Sequence, residues 1–170
     1  MNDIQRMHEH AAGDAFVDWY NRENGKQFVY DERPREAPDL RYVDAGDILD
    51  VEITNAYYDK RDAEMQWKSA RKEPDDPIRW SGTNFDQALV EQINARLTDK
   101  CSKDYGRNCI LVVNTLPALT TADEMENMLP QITIPNKNPF AGIYLTGNFP
   151  DSSSSQGGFR CWHLEKRNGC

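Results

Sequence analysis

The run Cys109-Ile110-Leu111-Val112-Val113 restricts the fold more than any other segment of the chain. Uninterrupted apolar residues cannot alternate between core and solvent, so a strand built from them needs cover on both faces. Helices above and below a central strand define the α/β class. Segments able to supply those layers flank it in sequence. Ile4, Met7, Ala11, Ala12, Ala15, Phe16 and Trp19 recur at spacings of three and four. That period predicts an amphipathic helix from Asp3 to about Arg22, stopped by Asn24-Gly25. Phe85, Leu89, Ile93 and Leu97 form a second stripe, with Thr83 or Asn84 as its cap. This helix is expected to reach about Lys103, before Gly106 releases the chain.

Short strands fill the intervals. Gln27 to Tyr30, Asp39 to Val43 and Ile48 to Thr54 read as strands, the last two joined by the turn Asp44-Ala45-Gly46-Asp47. A helical piece is expected over Asp62 to Arg71, then a loop from Lys72 to Ile78 punctuated by Pro74 and Pro77. Downstream come a short helix near Ala122 to Met128, a Pro- and Asn-rich loop at 130–139, and a strand over Ala141 to Leu145. The Ser- and Gly-rich stretch Asp151 to Gly158 reads as a mobile loop, and Phe159 to Leu164 as a last, edge strand. The predicted order is therefore helix, three strands, helix, strand, with a C-terminal helix and strand extension around a mixed central sheet. At 170 residues the chain fits a single domain over residues 1–170. A domain of this size buries roughly 70% of its unfolded surface and needs no disulfide or structural metal to form a core.

Composition narrows the partners. No apolar run approaches the roughly 18 residues of a membrane span, and the Met1-Asn2-Asp3-Ile4-Gln5-Arg6 start lacks the basic-then-apolar order of a signal peptide. A cytoplasmic protein without a membrane partner is the expectation. The net charge is -8, with residues 1–85 carrying 12 basic and 19 acidic side chains. So acidic a surface repels phosphate backbones and disfavours a general nucleic-acid coat protein, yet it allows carboxylates grouped around a divalent cation. Cys101, Cys109, Cys161 and Cys170 show neither a C-x-x-C pair nor a His at finger spacing. They read as reduced thiols, with Cys109 and Cys161 in strand cores.

The chemistry concentrates on the third predicted strand. Leu49, Val51 and Ile53 alternate with Asp50, Glu52 and Thr54, so the acidic pair shares one face and the aliphatics the other. A solvated polar face is the plain alternative. Against it stands Pro38-Asp39, which a hairpin brings beside the Asp50 and Glu52 face, so that oxygen-rich side chains converge as a hard cation such as Mg²⁺ requires.

Ala37-Pro38-Asp39-Leu40 followed by Leu49-Asp50-Val51-Glu52-Ile53-Thr54 resembles the PD-(D/E)XK nuclease superfamily, and within it small bacterial and phage members carrying Glu-x-Thr. The resemblance extends over about residues 3 to 146 and implies a restriction-endonuclease-like core. It implies metal-dependent hydrolysis of a nucleic-acid phosphodiester, with DNA and RNA equally open. Asp39, Glu52 and the backbone carbonyl of Ile53 then match the ligands of Mg²⁺ or Mn²⁺. Thr54 stands where the family has its catalytic Lys. In a second register Asp50 is the acidic ligand and Glu52 takes the Lys position.

The missing Lys can come from the following helix, where Lys100 lies three residues past Leu97 and Lys103 is close behind; Lys60 is a further possibility. Glu9, at the border of the first helix's apolar stripe, matches a Glu that the family places near the metal. Each has a plainer alternative as a solvated surface charge. His8, His10 and His163 read as polar surface residues, and Trp67 and Trp80 as packing across the Pro loop. Arg41, Lys68, Arg71, Lys100 and Lys103 are the basic groups expected near the site. The Lys replacement leaves a second reading, a nuclease-like fold without catalysis that serves as a protein-interaction or regulatory module.

Overall fold

The computed structural model describes residues 3–57, 84–106, 108–116, 119–151 and 154–164. The expected 62–71 helix and 72–78 loop lie outside them, as do Lys60, Trp67, Lys68, Arg71, Trp80, Thr83 and Cys170. In chain order the elements are α1 (Asp3–Asn24), β1 (Val29–Glu32), β2 (Leu40–Asp44), β3 (Asp47–Ala56), α2 (Phe85–Cys101) and β4 (Cys109–Thr115). After them come α3 (Ala122–Met128), a 3-10 turn at Leu129–Gln131, β5 (Gly142–Asp151) and β6 (Ser154–His163). The six strands make one sheet in sequential order, β1 to β6. β4 runs parallel to β3 on one side and β5 on the other, while the remaining pairs are antiparallel. The molecule is thus α/β with a mixed sheet.

The apolar run does what its composition demands. Along β4, Ile110 and Val112 join Phe16 and Val17 of α1, while Cys109, Leu111 and Val113 join Leu89, Ile93 and Leu97 of α2 and Met125 of α3. Every one of these residues is at most 5% exposed, so both faces are covered. Burying a side chain such as Leu111 or Phe16 contributes about 1.5–3 kcal/mol. On the first face α1 closes tightly on β2 at Gly13, where a Cβ would overlap the Leu40 side chain and come within 2.7 Å of the Tyr42 hydroxyl. That hydroxyl donates to Asp14 Oδ1 at 2.9 Å, fixing α1 lengthwise on the sheet.

Several expectations are corrected. Asn84 occupies the start of α2 in a left-handed conformation and makes no side-chain cap. Asp39 precedes β2 instead of opening it. Asp151 and residues 154–158, expected in a loop, belong to strands: β5 and β6 pair from Tyr144↔His163 to Asp151↔Ser154, with an irregularity at Pro150/Asp151. Glycine there serves close approach, since a Cβ on Gly157 would lie 2.9 Å from the Phe149 carbonyl oxygen. None of the described helices is long and apolar enough to cross a membrane.

Hydrogen exchange should find the β4 amides among the slowest in the chain, and alternate amides of residues 157–163, those facing β5, protected by the ladder. Fast exchange over 157–163 would restore the loop reading.

Candidate functional site

β3 presents its two faces to different layers. Leu49, Val51 and Ile53 enter the α1 core, and Glu52 points to the α2 side. Glu52 is only 5% exposed because α2 closes over it. The last turn of α2 brings Lys100, at the rim of the stripe that ends in Leu97 and Cys101, and its Nζ donates to Glu52 Oε1 at 2.6 Å. The same ammonium stands 5.8 Å over the Tyr105 ring. Glu52 Oε2 is buried with no hydrogen-bond partner among the described residues, and the Tyr105 phenol stands close to the same carboxylate. Two neighbouring groups register its charge: the Tyr105 phenol is pushed up by burial and then by Glu52, and the Cys109 thiol is pushed up to about 12 by the same causes in the same order.

Pro38-Asp39 explains the local backbone. Leu40 pairs with Val51, so the same register continued would set Asp39 opposite Glu52 and Pro38 opposite Ile53. Proline has no N–H for the Ile53 carbonyl, and β2 begins only at Leu40. The Ile53 N–H donates instead to Asp39 Oδ2 at 3.0 Å. A strand residue projects its N–H and C=O from the same edge, so the Ile53 carbonyl also faces Asp39. The Asp39 carboxyl is raised to about 6, first by burial, then by the Glu52 charge and more weakly by Glu9; the Ile53 hydrogen bond and Lys100 oppose the rise.

Glu9, 4% exposed, completes the group from α1. Its Oε2 accepts from both Arg33 Nη1 and Nη2 at 3.0 Å, and its Oε1 accepts from Gln5 at 2.8 Å. Arg33 Nη1 also lies 3.6 Å from Asp39 Oδ1, so one guanidinium bridges two carboxylates. An open cleft of about 460 Å³ is lined by Glu9, Asp39, Glu52, Ile53, Thr54 and Lys100. A second, of about 660 Å³, shares Asp39 and Glu52 and is lined on its other side by Arg6, Arg33 and Arg35.

The five residues singled out from sequence, Glu9, Asp39, Glu52, Ile53 and Lys100, therefore border one cleft. Other candidates lie apart. Asp50, the alternative ligand, is held by Arg41 at 2.7 and 3.0 Å, and Arg41 also reaches Glu32. Lys103 pairs with Asp99 at 2.8 Å on the exposed side of α2. His10 is engaged by Asp14 and by the Tyr30 ring, and His163 stacks on Tyr144 at 4.7 Å. Sequence reasoning missed Arg33 and Gln5. Gln5 stands four residues before Glu9 on the same helix face, a spacing that signals contact once Glu9 is placed inward. Arg33 carries no such local sign.

The donors suit a hard cation that keeps most of its own water: the carboxylates of Asp39 and Glu52, the latter with one buried oxygen unpartnered among the described residues, and a backbone carbonyl. Among the described residues, no three His, Cys, Asp or Glu side chains are gathered into a metal-holding group, so any cation here must complete its shell with water or substrate. Comparison of the chain with protein-family models, with curated proteins and with solved structures finds no match.

The raised Asp39 carboxyl makes a pH prediction. The folded protein holds this proton up to about 6, well above the ordinary carboxyl value of 3.8, so stability falls as pH rises through that window and levels off above it. The loss is at most about 3 kcal/mol, from 1.36 kcal/mol per pKa unit. Asp39→Asn keeps an acceptor for the Ile53 N–H and removes the ionisation. Denaturant unfolding between pH 4 and 7 should show the variant gaining on the wild type as pH rises, and parallel curves would contradict the shift.

Proposed function

We propose that the cleft is a divalent-metal-dependent phosphodiesterase site acting on nucleic acid, on a core of restriction-endonuclease-like, PD-(D/E)XK type. The observation that carries this reading is the 2.6 Å contact between Lys100 Nζ and Glu52 Oε1. It brings an ammonium from α2 to the strand carboxylate in a chain whose Thr54 occupies the family's Lys position. The order of α1, β1 to β3, α2 and β4, and the approach of Asp39 to Glu52 and Ile53, also support it.

Asp39, Glu52 and the Ile53 carbonyl would hold Mg²⁺ or Mn²⁺. Such an ion would supply Lewis-acid polarisation of the scissile phosphate and a lowered pKa for the attacking water. The protein's own groups do the rest. Lys100 orients the water and adds positive charge opposite the developing negative charge of the phosphate. Arg33 keeps Glu9 and Asp39 close without mutual repulsion, and Glu9 fixes Arg33 through the single oxygen Oε2, which accepts from both guanidinium Nη atoms. Glu52 Oε2, which has no hydrogen-bond partner among the described residues, is the oxygen poised for a ligand.

A second reading is favoured by the same ion pairs: Arg33 and Lys100 already partner the carboxylates with charges of the chain itself, as a non-catalytic interaction module would require.

Incubation of the full chain with single- and double-stranded DNA and RNA should give cleavage with Mg²⁺ or Mn²⁺ and none in EDTA. Asp39→Asn, Glu52→Gln and Lys100→Met should each lower the rate by about 10²-fold or more. Lys100→Met strands the Glu52 charge in a buried position, at a cost of about 3–5 kcal/mol, so its folding is checked beside the double variant Lys100→Met/Glu52→Gln, in which neither charge remains. Mn²⁺ should raise the melting temperature of the wild type and not of Asp39→Asn. Metal binding without cleavage of any substrate would transfer the site to the second reading.

A further inference from the structure

The larger cleft lobe is lined by Arg6 from α1 and by Arg33 and Arg35 from the segment before Pro38. Arg33 is committed to Glu9 and Asp39. Arg6 and Arg35 are exposed, and among the described residues neither has a hydrogen-bond or ion-pair partner. The lining also carries Glu36, Asp39 and Glu52, so its formal charges balance in a chain of net charge -8, and Arg6 and Arg35 are the two of its three cations left unpaired among the described residues. Their planar forks match phosphate oxygens. The lobe is continuous with the first cleft through Asp39 and Glu52, and its volume of about 660 Å³ accommodates a nucleotide unit.

We infer that the Arg6 and Arg35 lobe holds the phosphate next to the scissile one, so that the substrate is a nucleic-acid strand gripped at consecutive phosphates. The inference rests on the phosphodiesterase reading for the position of the scissile phosphate. The binding it describes needs no metal and no turnover. It also accounts for how so acidic a protein can take a polyanion: the overall field repels, and the attraction is confined to the lobe, at two cations that no carboxylate of the described residues contacts directly.

The test is anisotropy of a fluorescein-labelled decamer of thymidylate titrated with the full chain in EDTA, across a series of salt concentrations. Arg6→Gln/Arg35→Gln should bind about tenfold more weakly at about 0.1 M salt and lose about two units of salt slope, with an unchanged melting temperature. Asp39→Asn should bind at least as tightly as the wild type, since it removes a negative charge from the shared wall. Equal affinity and slope for the wild type and the double variant would overturn the inference. Displacement of the decamer by thymidine 5′-monophosphate or inorganic phosphate at comparable concentration would also overturn it, by making the lobe a pocket for a lone phosphate. Arg-dependent binding without cleavage in Mg²⁺ would remove the hydrolysis reading and keep the lobe. Cleavage with an unchanged KM in the double variant would do the reverse.

Discussion

Glu52 is 5% exposed, and the charge opposite it arrives from Lys100, 48 residues later in the chain. A carboxylate buried on a strand cannot remain charged without such a partner, so the end of α2 must come to rest where Lys100 can reach β3. That requirement works with the apolar packing. Leu97 and Cys101 seat α2 on the sheet, and Lys100 occupies the edge of the same stripe, with its stem along the protein and its head at Glu52. Asp39 inherits the consequence, because the charge of Glu52 is among the causes that keep its proton bound to about 6. Arg33 and Glu9 complete the arrangement from the α1 side.

The parts legible in the sequence are those governed by short-range period. The β4 run foretold cover on two faces, and the alternation from Leu49 to Thr54 foretold which residues of β3 enter the α1 core. Glu9 and Lys100 were legible as border positions of helical stripes, since a residue at the rim of a buried face can turn inward. Arg33 was not, because it sits in an irregular segment and its partners are set by how α1 crosses the sheet. The β5–β6 pairing was misread for another reason. Ser and Gly are poor strand formers, but Gly157 lies where the Phe149 backbone comes too close for a side chain, and Phe149 itself is fully buried. Tertiary packing overrode local preference there. Asn84 likewise has the residue type of a cap and the wrong backbone conformation to act as one.

The electrostatics of the molecule work on two scales. The whole carries -8, which governs its long-range field and its solubility. The two cleft lobes are lined by Arg6, Arg33, Arg35, Arg96 and Lys100 against Glu9, Glu36, Asp39, Glu52 and Asp99, so the formal charges balance there while the rest of the chain is acidic. The composition of the chain hides this, because the five cations come from α1, the segment before β2 and α2, with no run of basic residues in sequence. Charge counts describe a surface well and a site badly when the site is assembled from separate elements.

Asp39 stands in for a piece of backbone. With Pro38 unable to extend the ladder, one carboxylate oxygen takes up the Ile53 N–H that another strand residue would have accepted. The other oxygen, Oδ1, lies 3.6 Å from Arg33 Nη1. Asp39 is thereby held at both oxygens, by a strand amide on one side and a guanidinium on the other, and its direction is set by strand pairing instead of free side-chain rotation. A proline placed one residue before an acid therefore turns that acid into a clasp between the edge of β3 and the irregular segment that carries Arg33.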